Sequence, residues 1–132
     1  MIILDTHALI WFASDPDKLS KTALQAIEAE IKAKRQILVS SISIWEICQL
    51  VSKKRIVFSV SLEQLLKTLD QTKEYKFISV DNKIAYESHI LPGEFHADPA
   101  DRMIVATARV LGAKLVTKDQ KIRAYEHVQS VW

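Results

Sequence analysis

Asp98-Pro99-Ala100-Asp101-Arg102-Met103-Ile104-Val105-Ala106-Thr107-Ala108, closed by Gly112 and followed by Lys114-Leu115-Val116-Thr117-Lys118-Asp119, reads as a helix and then a strand. Asp98 can cap the helix. Pro99 takes the first helical position, where a missing N–H costs nothing, and Gly112 lies just past the end. The strand that follows is short, apolar, and ends near an acid. The same alternation holds toward the N-terminus. Ile2-Ile3-Leu4 reads as a buried strand ending at Asp5, and residues 6–13 as a short helix stopped before Asp15-Pro16. Ser20 caps a helix to about residue 34, with Ala23, Leu24, Ile27 and Ile31 on one face. Ile37-Leu38-Val39-Ser40 is a second strand, with a helix over about 42–53 after it. Ser61 and Gln64 form a capping box ahead of the stripe Leu62, Leu65, Leu66 and Leu69. Phe77-Ile78-Ser79-Val80 is a third strand. Asp81 caps a helix to about residue 91, and Pro92-Gly93 opens a loop. A short helix and a strand over 128–132 complete the chain. Apolar strands separated by helices predict an α/β fold whose mainly parallel sheet is covered on both faces.

The 132 residues suit a single domain, 1–132, with a proper core. Apolar residues make up 48% and charged residues 26%, which places the chain among ordinary globular proteins. The net charge of +2 does not by itself imply nucleic acid. The lone Cys48 excludes an internal disulfide and fits a reducing cytoplasm. The opening apolar run is broken at Asp5 and has no basic flank, so it does not read as a signal peptide. No apolar run approaches the roughly 20 residues of a membrane helix.

Parallel sheets place their sites beyond the carboxyl ends of the strands, where the strand order reverses. Asp5 and Asp119 fall at such ends, and Glu46 and Asp101 near helix starts facing the same edge. Two unit charges about 4 Å apart repel by roughly 4 kcal/mol at an effective dielectric near 20. Four such acids call for protons or a hard divalent cation, and an all-oxygen set points to Mg²⁺ or Mn²⁺. Each acid has a plainer reading. Asp98 reads first as a helix cap. Asp101 in the first turn favours the positive end of the helix dipole, which is compatible with a site. Ser43-Ile44-Trp45-Glu46 is a capping-box pattern; with Ser41 as the cap instead, Glu46 is free to face the cleft. Asp119 is equally a turn or cap residue. Asp5, ending a buried strand, is the hardest to explain structurally.

His7, His89, His96 and His127 are scattered without metal-ligand spacing. Lysines and arginines near helix ends serve dipoles and solubility. Arg102, Lys118 and Lys121, nearest the acids in sequence, are the candidates for phosphate contacts.

Leu4-Asp5-Thr6-His7-Ala8-Leu9-Ile10-Trp11, Val39-Ser40-Ser41-Ile42-Ser43-Ile44-Trp45-Glu46-Ile47, the 98–108 stretch and Leu115-Val116-Thr117-Lys118-Asp119 together resemble PIN-domain proteins, most of all the VapC-like toxins of bacterial toxin–antitoxin pairs. The likeness runs from the first residues to the last strand. It implies a three-layer α/β/α sandwich and a Mg²⁺- or Mn²⁺-dependent endoribonuclease of the cytoplasm. Asp5, Glu46, Asp101 and Asp119 match the family's acidic positions, with Asp98 as an accessory acid. Thr6 and Thr117 match positions beside the first and last acids, in the substrate-binding set. The resemblance further implies a homodimer and a small antitoxin laid across an apolar groove, for which Trp11, Phe12 and Trp45 are candidates. Hydrolysis by metal-activated water predicts 5′-phosphate and 3′-hydroxyl ends. Two other readings stand beside it. One is a haloacid-dehalogenase-like phosphatase, disfavoured because its second Asp is here His7. The other is a catalytically silent partner-binding domain of the same fold.

Overall fold

The computed structural model describes residues 1–132. Five strands form one sheet: β1 (Ile2–Leu4), β2 (Ile37–Ser40), β3 (Tyr75–Ile78), β4 (Lys114–Val116) and β5 (Ser130–Val131). All pairings are parallel, in the order β3-β2-β1-β4-β5. The chain builds outward from β1 through β2 to β3, then returns to the other side of β1 for β4. The order therefore reverses between β1 and β4, and a crevice opens at their carboxyl ends.

Seven helices cover the sheet: α1 (Thr6–Ser14), α2 (Lys21–Lys32), α3 (Ser41–Ser52), α4 (Leu62–Gln71), α5 (Asn82–His89), α6 (Pro99–Leu111) and α7 (Gln120–Arg123). Successive strand residues point to opposite faces. Ile2 and Leu4 enter a core with Leu9, Ile27 and Ile47, whereas Ile3 enters a second core with Ile104, Leu115 and Ile122. Two cores with one sheet between them make the expected α/β/α sandwich. No helix is long and apolar enough to cross a membrane.

Local chemistry sets most boundaries. Asp98 accepts from the Asp101 N–H, and Gly112 adopts the left-handed conformation (φ 66°) that closes α6. The Ser20, Ser61 and Asp81 side chains cap α2, α4 and α5. Several details differ from expectation, and α5 stops at His89 rather than near residue 91. β3 starts and ends two residues earlier than 77–80, because its register pairs Tyr75 with Ile37 and Ile78 with Ser40, where β2 ends. β5 shrinks to two residues, the only ones opposite Leu115 and Val116. The capping box at Ser61 is half-formed: the Gln64 N–H donates to Ser61, but the Gln64 side chain donates to Thr68.

Candidate active site

Parallel β1 and β4 bring Asp5 beside Thr117, 112 positions away in sequence. The Asp5 N–H donates to the Val116 carbonyl, so the ladder itself carries Asp5 to the sheet edge. Asp5 is buried, and both its carboxylate oxygens are held: the Thr6 N–H donates to Oδ1 at 2.7 Å and the Thr117 hydroxyl to Oδ2 at 2.6 Å. The Asp119 N–H donates to the Thr117 oxygen at 3.0 Å. Thr117 therefore ties the last acid to the first.

Ser40 is the cap of α3, its side chain accepting from the Ile42 N–H. That choice puts Glu46 in the second turn and removes the capping-box reading at Ser43. The Glu46 carboxylate turns toward α1, where it accepts from the Thr6 hydroxyl at 2.6 Å. Thr6 also lies 3.0 Å from the buried Ser43 hydroxyl. A hydroxyl has one proton, so both contacts are satisfied when Ser43 donates to Thr6. Asp101 enters from the first turn of α6. Asp98, exposed, caps that helix and lines the same cleft.

The cleft holds about 530 Å³ and is lined by Asp5, Glu46, Asp98, Asp101 and Asp119 together with His7, Trp11 and Lys118. One carboxylate oxygen each from Asp5, Glu46 and Asp101 lie within 4.8 Å of one another. None of these acids pairs with a lysine or arginine; the Lys118 ammonium sits 5.7 Å above the Trp11 ring. The electrostatics follow. Burial pushes the Asp5 carboxyl up, against the lowering hydrogen bonds of Thr117 and Thr6. Burial raises Glu46, with Asp5 and Asp98 adding repulsion. Asp101 is pushed up to about 8, first by burial and then by the charges of Asp5, Asp98, Glu46 and Asp119. Convergent, desolvated, uncompensated oxygens fit a hard divalent cation, which takes oxygen ligands and supplies the missing positive charge.

A PIN domain family model matches residues 2–128. The chain belongs to the PIN domain family. This PIN domain is 34% identical over 131 residues to ribonuclease VapC22 of Mycobacterium tuberculosis, a match covering 98% of this chain and 95% of that protein. Its fold is similar to that of a chain in a toxin–antitoxin complex from Klebsiella pneumoniae (TM-score 0.66, 25% identity, 97% and 95% of the two chains). VapBC2 from Rickettsia felis, bound to a DNA fragment from its promoter, shares the fold with TM-score 0.68 at 21% identity, covering 98% and 97%. PIN membership sets aside the phosphatase reading.

Not every expected site residue reaches the cleft of this PIN domain. Thr6 and Thr117 are fully buried, so they orient carboxylates and have no face for substrate. Arg102 is engaged elsewhere: its guanidinium donates to the carbonyls of Ser88 (2.8 Å), Phe95 (2.9 Å), His89 and His96 (both 3.3 Å), pinning the α5–α6 connection. Lys121 borders a separate cleft with Phe95 and Tyr125, while Lys118 lines the acidic one. Phe12 packs against the α1–α4 core. Trp11 forms a wall of the acidic cleft, packed at a tilt between the rings of His7 (5.5 Å) and Trp132 (5.8 Å). Trp45 is 55% exposed and borders a groove with Lys53, Arg55 and Pro99. That groove shares Glu46 and Asp98 with the acidic cleft, so the two join. Two residues of the site were passed over in sequence. Ser43 reads in sequence only as a possible cap, yet its hydroxyl meets that of Thr6. His96 lies 3.1 Å from Asp101 through Nε2, and its only sequence signal was its place two residues before Asp98.

Proposed function

We propose that this PIN domain is a Mg²⁺- or Mn²⁺-dependent endoribonuclease, the toxin of a cytoplasmic toxin–antitoxin pair. The observation that carries this reading is the convergent carboxylate triad of buried Asp5 with half-buried Glu46 and Asp101, the first two held by hydroxyls and none of the three paired with a lysine or arginine. When bound there, a divalent cation lowers the pKa of a coordinated water and neutralises charge on the scissile phosphate. The chain's own residues supply the rest. Thr117 and the Thr6 N–H fix Asp5, the Thr6 hydroxyl fixes Glu46, and the α6 cap fixes Asp101, so the acids are arranged before substrate arrives. Asp119 completes the set and Asp98 supports it. Lys118 at the rim contacts a backbone phosphate. A recessed acidic cleft admits an unpaired RNA strand better than a duplex, whose backbone is held in an A-form helix.

Similarity to ribonuclease VapC22 and to a chain of a toxin–antitoxin complex supports this assignment. The joined groove beside Trp45 offers a path for an antitoxin segment that covers the acids, with Trp11 at its far wall. A homodimer is part of the same reading.

Purified chain is incubated with cellular RNA and Mg²⁺ or Mn²⁺, against EDTA. Metal-dependent cleavage is expected, leaving 5′-phosphate and 3′-hydroxyl ends, and it is lost in Asp101→Asn prepared identically. Cyclic phosphate products overturn hydrolysis by water. Cleavage that persists in EDTA overturns the role of the cation.

A further inference from the structure

His96 is the one residue at the site whose position nothing above explains. Its Nε2 atom is buried and makes no hydrogen bond. Asp101 Oδ2 lies only 3.1 Å away, within hydrogen-bond distance but misaligned for one. A buried ring nitrogen without a partner is costly and rare. Yet the ring is held firmly: Phe95 packs on it at 4.4 Å between ring centres, and Arg102 grips its carbonyl. A ring nitrogen of His96 and one carboxylate oxygen each from Asp101 and Asp119 also lie within 4.8 Å of one another.

The 3.1 Å between His96 Nε2 and Asp101 Oδ2 is the spacing of two ligands around a shared ion. Two donors about 2.1 Å from one cation and at right angles lie about 3 Å apart. A ring nitrogen that faces a carboxylate oxygen without a hydrogen bond between them suits two donors that share a cation. Resting on the nuclease reading above, we propose that His96 is a cation ligand, forming with Asp101 and Asp119 a second, nitrogen-containing position that shares Asp101 with the Asp5–Glu46–Asp101 triad. The donor sets differ in kind. Three carboxylates accept Mg²⁺ and Mn²⁺ alike, whereas an imidazole favours a transition cation over Mg²⁺. The second position therefore selects Mn²⁺.

Pulsed EPR of the full chain, loaded with up to about two equivalents of Mn²⁺, tests this without reference to catalysis. Nitrogen hyperfine coupling to Mn²⁺ is expected in the natural chain. It persists in His7→Gln, which removes the other imidazole lining the cleft, and disappears in His96→Gln. In parallel titrations, loss of His96 weakens the second Mn²⁺ by at least about tenfold, the scale of losing even an outer-shell partner, while Mg²⁺ binding changes little. Bound Mn²⁺ without nitrogen coupling, or coupling that survives His96→Gln, overturns the proposal and leaves the nuclease reading intact. Coupling that depends on His96 in a chain that cleaves no RNA sustains the proposal and overturns that reading. If His96→Gln does not fold, the natural chain and His7→Gln decide, since an uncoupled spectrum in the natural chain is already fatal.

Discussion

Glu30 and Asp101 are both acids with little exposed surface, their side chains 8% and 17% accessible, and the fold treats them in opposite ways. Glu30, on α2, meets the Arg35 guanidinium in a two-pronged contact of 2.8 and 3.0 Å, with the N-terminal ammonium at 3.6 Å. Its carboxyl is held below the ordinary value, chiefly by the hydrogen bonds from Arg35. Asp101 meets four other acids and no lysine or arginine, and is pushed up to about 8. Where the chain needs an acid only for architecture, it supplies the counter-charge from its own sequence. Where it leaves acids uncompensated, the counter-charge must come from outside. A pocket of acids alone says little, since exposed acids abound; a desolvated acid without a partner is informative.

The contrast predicts opposite signs for like substitutions. Asp101→Asn lowers RNA cleavage by at least about a hundredfold, the scale of removing one preorganised electrostatic group from a reacting centre. The same change raises the thermal midpoint of the metal-free protein by a few degrees at neutral pH, because Asn sits among the other acids without having to take up a proton; scanning calorimetry in EDTA checks it. A lowered midpoint breaks the comparison. Thr117→Val, which keeps shape but deletes the hydroxyl shared by Asp5 and Asp119, weakens cation binding about ten- to a hundredfold by titration calorimetry. Glu30→Gln leaves cleavage unchanged and costs about 1.5 kcal/mol in denaturant unfolding, the low end for a hydrogen bond to a charged group because Arg35 is largely exposed.

The comparison also extends to pH dependence. In the metal-free fold Asp101 keeps its proton up to about pH 8, whereas the unfolded chain releases it near 3.8. The folded state binds more protons across that window, so this group makes stability fall as pH rises from about 4 to 8. Glu30 does the reverse: its contribution is present above its ordinary value of 4.5 and is lost as pH falls through its lowered one. Midpoints measured from pH 4 to 9 in EDTA should fall less steeply in Asp101→Asn, where Asp5 and Glu46 still contribute, and keep their full slope in Glu30→Gln.

The ends of α6 were legible in sequence because they are marked locally, by Asp98, Pro99 and Gly112. So was the α/β alternation, since β1 and β2 are apolar on both faces. What stayed hidden depended on partners remote in sequence. β3 could be placed only once its register with β2 was known. The orientation of Glu46 turned on which of several serines capped α3. Arg102 looked like a phosphate ligand because its real partners are backbone carbonyls, which the residue types do not advertise. His96 was passed over because its partners, Asp101 and Asp119, are brought to it by the turn into α6 and by strand pairing.

The Thr117–Asp5 hydrogen bond closes a loop of almost the whole chain. Loops that long form late, after the local contacts that reward them less dearly. During synthesis the first acid emerges early, but the strand that seats it is among the last segments to leave the ribosome. A half-made chain therefore carries Asp5 and Glu46 without Asp101, Thr117 or Asp119. Its acidic site is incomplete, because the strand that seats Asp5 and the last acid has not yet been made. The order of the acids along the sequence therefore delays assembly of the site to the end of synthesis.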